Sequence, residues 1–339
     1  MEGNKLFAVS STLILLFLTG LILKLAKPVI FPFFLAIFFY FILSPVFELM
    51  TRARIPRSLA VFLIIIITFF VIYLLGVVIY SSGKMLAASF PQYGQKLNAF
   101  LSALRAKLME ANVSWDPLTW TKSLDLNRLA SLLLSSLDRF ISFLSNLALV
   151  LVFLIFMLAG RGKLKGKINK SFSPEKSSQI NRVLDNIDRQ VQRYLAIKTL
   201  TSLLAGLVTM AVLFLFRVDF AFVFGFLIFL LNFIPSLGSI LGFLIIFLAA
   251  AFQFGSFWPA LWMLLILIGL DLLIANFLEP KLMGYGLGLS PLAVLFSLFF
   301  WGWLWGVPGM FLAVPLLAVI KISCANIPSL QFVSEILSK

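Results

Sequence analysis

The chain of 339 residues has no histidine and a single cysteine, Cys324. Without histidine it lacks the commonest metal ligand and the usual proton acceptor near neutral pH, which excludes zinc chemistry and a Ser-His-Asp triad. One cysteine also excludes an intramolecular disulfide.

The Gly-Lys pairs at 83, 162 and 166 are followed by Met, Leu and Ile, so no P-loop for ATP hydrolysis is present. We therefore expect no enzyme, no cofactor and no metal centre. An intramembrane enzyme would depend on serines, lysines and carboxylates, which form no recognisable catalytic constellation here.

Charged residues are scarce as well, at 12% of the chain against 62% hydrophobic residues. Soluble domains have about a quarter charged and about half apolar residues. About eight long apolar runs divide the chain, and a helix of about 20 apolar residues crosses the roughly 30 Å hydrocarbon core of a bilayer. The sequence thus predicts an all-α, polytopic transmembrane helical bundle of about eight spans. The first apolar run lacks a small-residue cleavage site, which indicates a retained span rather than a signal peptide.

Acidic residues are fewer than basic ones, 13 against 27, and the formal charge is +14. Most of this excess lies between apolar runs, which favours cytoplasmic loops and anionic lipid headgroups as partners, not nucleic acid. The most basic stretch, 161–198, predicts a cytoplasmic loop, and Arg52 to Arg57 then lie on the same side. This places the N-terminus in the cytoplasm of a multi-pass protein of the cell (inner) membrane. Lys24 and Lys27 then lie at the outer face, where they must snorkel.

These patterns divide the chain into five segments. Ser173 and Pro174 form an N-cap and first helical position, which predicts that the basic segment continues as a helix into the fifth span. The segments are residues 1–80 with spans one to three, 81–138 as an extracytoplasmic amphipathic helical segment, 139–160 as span four, 161–198 as a basic cytoplasmic helical loop, and 199–339 as a C-terminal transmembrane core with broken or re-entrant helices.

Proline and glycine interrupt two apolar stretches of that core, at NFIPSLGS (232–239) and GVPG (306–309). Lipid cannot satisfy the backbone groups that such breaks free, so breaks at membrane depth lie inside protein or beside a water-filled cavity. Pairs of interrupted segments therefore point to the central site of a transporter. The alternative is two ordinary hairpins with turns at the membrane surface. Glycines at four-residue spacing, such as Gly238 with Gly242, Gly284 with Gly288 and Gly302 with Gly306, would allow helices to approach closely.

Two carboxylates lie near these breaks. Asp271 is more than two turns inside an apolar span, and Glu279 follows eight residues later on roughly the same face. Ionisable groups at membrane depth are costly and indicate function, here a pathway for a proton or sodium ion. Alternatively, Glu279 and Lys281 mark the membrane interface and pair with each other.

The candidate substrate or ion pathway therefore comprises a set of polar, proline and glycine residues around the two breaks, with no catalytic residue and no metal ligand. Its members are Asn232, Pro235, Ser236, Gly238, Asp271, Asn276, Glu279, Pro280, Gly284, Pro291, Gly306, Pro308 and Gly309.

Three groups of residues follow one another in the C-terminal third: Asn232, Ile234, Pro235 and Gly238, then Asn276, Glu279, Pro280, Met283 and Gly284, and finally Pro291, Gly306, Gly309 and Pro315. This pattern resembles the autoinducer-2 exporter family of permeases. The resemblance implies about eight spans and assembly as a homo-oligomer. It also implies a secondary transporter that exports a small solute such as autoinducer-2, since some members resemble exporters of that signal and others sodium or lithium ion/proton antiporters.

The residues leave both transport functions open. A small hydroxyl-rich signal needs amide, hydroxyl and aromatic partners, whereas an antiporter needs a buried carboxylate whose proton competes with a monovalent cation. Asp271 and Glu279 fit the second role, and the groups that fit the first lie in the same region: Asn232, Ser236, Ser239, Asn276, Tyr285 and Ser290. A non-transporting scaffold, whose basic helix recruits partners, is a third possibility.

Overall fold

The computed structural model describes residues 18, 20–110, 128, 131, 134–135, 138, 147–160, 163–235, 237–283 and 287–338. Every named element within these residues is a helix, and a single bridge between Leu289 and Ser338 is their only pairing of extended backbone. The predicted all-α class is therefore confirmed.

The helices are numbered in chain order, and the helix that begins at Pro174 starts where the Ser173-Pro174 pair predicts. They are α1 (Lys27–Arg52), α2 (Arg57–Glu110), α3 (Leu147–Gly160), α4 (Lys163–Ser171), α5 (Pro174–Leu215), α6 (Ala221–Leu231), α7 (Leu237–Phe254), α8 (Phe257–Leu273), a π-helical turn (Ile274–Leu278), α9 (Glu279–Met283), α10 (Pro291–Trp305), α11 (Val307–Ala325), a 3-10 turn (Pro328–Leu330) and α12 (Gln331–Ile336).

Six of the described helical segments are long and apolar enough to cross a membrane, and α3 with α4, bent by 61°, would make a seventh. Two apolar helices, α6 and α10, are shorter. The predicted first span, 6–26, lies largely outside the described residues. Large apolar side chains such as Phe156 (72% exposed) and Leu215 (81%) point away from the protein interior. Such a surface is compatible with lipid rather than water, and the molecule is a multi-pass helical membrane protein.

Two helices run without interruption across segment boundaries that the sequence suggested. α2 continues past Tyr80 to Glu110, and α5 carries the basic stretch directly into the fifth span. A helix satisfies its own backbone hydrogen bonds in lipid and in water alike, so a change in hydropathy does not oblige it to end. The second predicted amphipathic piece, 126–140, lies mostly outside the described residues.

The chain separates into two compact units. The first comprises Met1–Phe69, Asn146–Ala196 and Tyr285–Lys339, and the second comprises Phe70–Ser145 and Ile197–Gly284.

In the first unit, an aromatic cluster joins the start of α1 to the end of α10. Trp305 is 1% exposed and packs against the rings of Phe31 and Phe34. The Lys27 ammonium donates to the Trp305 carbonyl at 3.2 Å, and the Trp305 indole N–H donates to the Leu23 carbonyl at 3.3 Å. Lys27 thus caps the C-terminal end of α10, where a positive charge is favourable.

In the second unit, α5 to α8 enclose an apolar core. Its fully buried side chains include Leu213, Ile228, Ile246 and Met263, one from each of the four helices. α5 and α6 approach most closely at Gly206 and Gly225: a Cβ on Gly206 would lie 2.7 Å from the Gly225 carbonyl oxygen. This contact is a small-residue helix crossing of the kind that membrane bundles use in place of hydrophobic packing.

The α6–α7 hairpin belongs to the same unit and is short. With 11 residues, α6 rises only about 16 Å, well below the roughly 30 Å of the hydrocarbon core. At its open end, the Gln253 side chain bonds both to the backbone N–H of Asp219 (2.8 Å) and to the carbonyl of Arg217 (2.9 Å).

Candidate functional site

One face of α5 carries three buried polar side chains into the second unit. Lys198 is 5% exposed, and Thr201 and Ser202 are fully buried. Residues at i, i+3 and i+4 share one helix face, so the three form a polar stripe in an otherwise apolar span. Buried polar groups, and an ammonium above all, require hydrogen-bonding partners inside the protein.

The partner of Lys198 is Glu279, at the start of α9. The ammonium nitrogen lies 3.0 Å from both carboxylate oxygens, and the two side chains are 7% and 18% exposed. The Thr201 hydroxyl, 3.2 Å from the Lys198 carbonyl oxygen, lies 3.5 Å from the same carboxylate. Glu279 therefore pairs with Lys198 and not with Lys281, which is exposed. Lys198, counted above among the basic loop residues, is instead an interior cation.

Asp271 lies in α8, eight residues before Glu279, and is partly buried. The Ser239 hydroxyl of α7 lies beside its carboxylate, and the charges of Lys198 and Glu279 act on it. No salt bridge to Asp271 occurs among the residues that the structure describes. The second unit thus places two carboxylates and one ammonium within electrostatic reach of one another.

The π-helical turn between α8 and α9 aligns the two carboxylates. Eight residues of regular α-helix would leave Asp271 and Glu279 about 80° apart around the axis. In the π turn the Glu279 N–H donates to the carbonyl of Ile274, five residues earlier, so the turn holds one extra residue and reduces that offset. It also relieves the clash that the Pro280 ring would make with the preceding turn of an α-helix.

The first proline-glycine break contributes the Asn232 side chain to this site. The backbone N–H groups of Asn232, Phe233 and Ile234 donate to carbonyls near the end of α6, and that of Gly238 donates to Ile234. The Asn232 amide donates to the Ser202 hydroxyl at 3.2 Å and so ties the turn to the polar face of α5. A Cβ on Gly238 would overlap the Leu231 carbonyl, so this position needs glycine for the hairpin to close.

The second break lies in the first unit and forms a tight connection between α10 and α11. Gly306 has a φ of 78°, and its N–H donates to the Gly302 carbonyl at 2.8 Å. The two helices pack along their length, with the Ser297 hydroxyl donating to the Ala313 carbonyl at 2.9 Å. Pro308 and Gly309 lie in the first turn of α11.

The remaining candidate residues are distributed as follows. Asn276 and Pro280 are exposed on the π turn and α9, and Pro235 is partly buried in the α6–α7 turn. Pro291 begins α10 and is exposed. Ser236, Gly284 and Tyr285 lie outside the described residues.

We expect the Asn232–Ser202 hydrogen bond to contribute about 0.5–1.5 kcal/mol to the free energy of unfolding. Asn232→Ala and Ser202→Ala should each destabilise the protein, and their combination should cost less than the sum because both remove the same bond. Unfolding in detergent, followed by helical circular dichroism, measures this. If the double variant lost as much free energy of unfolding as the two single variants together, the contact would not form.

Sequence reasoning missed Lys198, Thr201 and Ser202. A signal was available, since polar residues at i, i+3 and i+4 continue a basic helix into an apolar span.

Among the described residues, no group of three or more acidic or cysteine side chains could hold a metal ion. A carboxylate outside a salt bridge can release a proton or bind a cation, and the neighbouring hydroxyl and amide groups can donate and accept hydrogen bonds.

Comparison with known proteins gives a consistent result. A family model described as AI-2E family transporter matches residues 12–329. The AI-2 transport protein TqsA of Escherichia coli K12 is 35% identical over 340 residues, which cover 100% of this chain and 96% of that protein. Two proteins named as candidate transport proteins are also similar. The one from Haemophilus influenzae is 34% identical over 313 residues (90% of this chain, 89% of the relative), and the one from Borreliella burgdorferi is 32% identical over 318 residues (93% and 86%).

Proposed function

The chain belongs to the AI-2E family of membrane transporters, and from that premise we propose that it exports a small, hydroxyl-rich solute of the autoinducer-2 type in exchange for a proton or monovalent cation. The proposal includes the orientation and location expected from the basic loops: an inner-membrane protein with a cytoplasmic N-terminus. It also includes the homo-oligomer that the family resemblance implies.

The observation that carries the proposal is the buried polar cluster of Lys198, Asp271 and Glu279, surrounded by hydroxyl and amide groups. Desolvated charges are costly in a membrane protein and persist where they pair and where they serve a pathway. Ser202, Asn232 and Ser239 supply the neutral donors and acceptors that a hydroxyl-rich solute needs. The relative named as an AI-2 transport protein supports this solute class.

A second candidate function, a sodium or lithium ion/proton antiporter, is favoured by one specific observation. Asp271 has a hydroxyl group for a neighbour and no salt bridge among the described residues, so its carboxylate is available to a cation. Carboxylate and hydroxyl oxygens are suitable ligands for a small hard cation. In that case the cluster would exchange cations without an organic solute.

Transport by the purified full-length protein in liposomes separates these functions. We expect autoinducer-2 to move against its gradient when a sodium, lithium or proton gradient is imposed, and not without the protein. Proton movement on addition of sodium or lithium, with no solute present, would instead establish the antiporter. A protein that moves none of them under any gradient would contradict both proposals and favour a scaffold.

Asp271→Asn tests the coupling role directly. The amide cannot release a proton and binds cations weakly, so we expect gradient-driven flux to fall at least tenfold, a change of about 1.4 kcal/mol in the barrier. The matched control is Asp219→Asn, the same substitution at an exposed residue of the α5–α6 turn. Equal flux in both variants would remove Asp271 from the pathway.

A further inference from the structure

Resting on the ion-coupled transport proposed above, we propose that Lys198 is a fixed counter-cation: it permanently neutralises Glu279 and thereby limits the cluster to one mobile cation, taken up at Asp271. Lys198 is then a positioning residue, because it acts on the number of cations through Glu279 and need not contact the transported solute.

The first step is the charge of the cluster. With all three groups ionised, two carboxylates and one ammonium carry a net charge of −1. An uncompensated charge inside an apolar bundle is strongly unfavourable. One further positive charge, a proton or a monovalent metal ion, makes the cluster neutral, and a second one would again leave it charged.

The second step is which carboxylate remains open. Lys198 lies 3.0 Å from both oxygens of Glu279, and the Thr201 hydroxyl lies 3.5 Å from one of them. Both oxygens of that carboxylate thus already face positive or donating groups. Asp271 has the Ser239 hydroxyl and senses Lys198 only through its longer-range charge. A mobile cation therefore meets less competition at Asp271.

The third step concerns other positive charges near the pair. Lys281 follows Glu279 by two residues but is exposed and makes no salt bridge among the described residues. Its ammonium group can keep its hydration, whereas the Lys198 side chain is 7% exposed and has Glu279 as its ionic partner. The burial of Lys198, together with its two short contacts, is what distinguishes a fixed charge from a surface lysine.

The test changes the fixed charge and counts the mobile ones. Lys198→Met keeps an unbranched side chain one atom shorter and removes its charge, so the cluster becomes −2 and should require two cations. In liposomes at constant pH, the sodium dependence of the initial transport rate should then steepen from a Hill coefficient of about 1 to about 2.

Lys198→Met combined with Glu279→Gln restores the net charge of −1 and should return the Hill coefficient to about 1. Lys198→Arg should keep it there, and Lys281→Met serves as the matched control.

A second measurement does not depend on transport. A bound cation stabilises the folded state, and the slope of the melting temperature against the logarithm of cation concentration scales with the number of cations bound. We expect that slope to double in Lys198→Met and to return to the wild-type value in the double variant. Sodium at fixed pH and protons without sodium are titrated separately, which identifies the cation.

The outcomes are distinguishable. If the wild-type protein transports a solute but Lys198→Met shows an unchanged Hill coefficient and melting slope, the ion pair is only structural and the inference is overturned. If no solute moves but the melting slope doubles as expected, export is wrong while the fixed counter-cation stands. If Lys198→Met does not fold, a double variant that keeps the wild-type slope supports the inference, and one without any cation dependence overturns it.

Discussion

Lys198→Met is expected to lower the free energy of unfolding by about 3–5 kcal/mol when few cations are present. The substitution leaves the Glu279 carboxylate, 18% exposed, without the ammonium that lies 3.0 Å from both of its oxygens. Glu279→Gln should cost a similar amount because it leaves the ammonium unpaired. The double variant should recover most of the loss, since a neutral pair has no buried charge to compensate.

Chemical unfolding in detergent, followed by circular dichroism, measures these differences. The control is a lysine–carboxylate ion pair at the surface: Lys165 with Asp185, whose side chains are 49% and 43% exposed. Exposed pairs contribute about 0.2–1 kcal/mol, so Lys165→Met should be nearly neutral. Equal losses from Lys165→Met and Lys198→Met would show that the interior pair is not desolvated in the folded protein.

The second large effect is expected from Gly225→Ala at the crossing of α5 and α6. A Cβ there would lie 2.8 Å from the Gly206 carbonyl oxygen and 2.8 Å from the Met210 Cβ. Neither atom is the flexible end of a side chain, so the two helices must separate. Overpacking of this kind typically costs about 1–3 kcal/mol. Because α5 also carries Lys198, the separation should reduce transport as well.

Gly269→Ala is the matched control for this substitution. Gly269 lies inside α8, and a Cβ there would meet no atom within 4 Å. Alanine stabilises a helix interior by about 0.5–1 kcal/mol relative to glycine, so this variant should be as stable as the wild type or more so. Thermal unfolding of both variants in the same detergent gives the comparison. A Gly225→Ala protein as stable as Gly269→Ala would mean that the crossing is looser than described.

Much of the architecture follows from local sequence. The apolar runs predict the membrane bundle because their length matches the bilayer, and the Ser173-Pro174 pair predicts the start of α5 because proline suits the first helical position. The position of Asp271 inside an apolar span also identifies an ionisable residue at membrane depth without any structure. The first two predictions are confirmed, since each depends on neighbouring residues alone, and the depth of Asp271 in the membrane stays a prediction.

The pairing of Lys198 with Glu279 could not be predicted in the same way. The two residues are 81 positions apart, and Lys198 ends a stretch of ten basic residues that are ordinarily solvated. Lys281, two residues from Glu279, was the more obvious partner by proximity. Which lysine is buried depends on how α5 packs against the start of α9, and a single sequence does not reveal that contact.

The π-helical turn has a consequence for how this protein tolerates changes in length. The segment Ile274–Leu278 holds one residue more than a regular α-helix would need for the same rise. Deleting that surplus residue would let the ladder close as an ordinary helix, but the Pro280 ring would then meet the preceding turn. The same deletion would leave Glu279 near its present angle, because seven residues of regular α-helix place it only about 20° from Asp271 around the axis. A one-residue deletion here would thus keep the electrostatic contact in register and strain the backbone at Pro280.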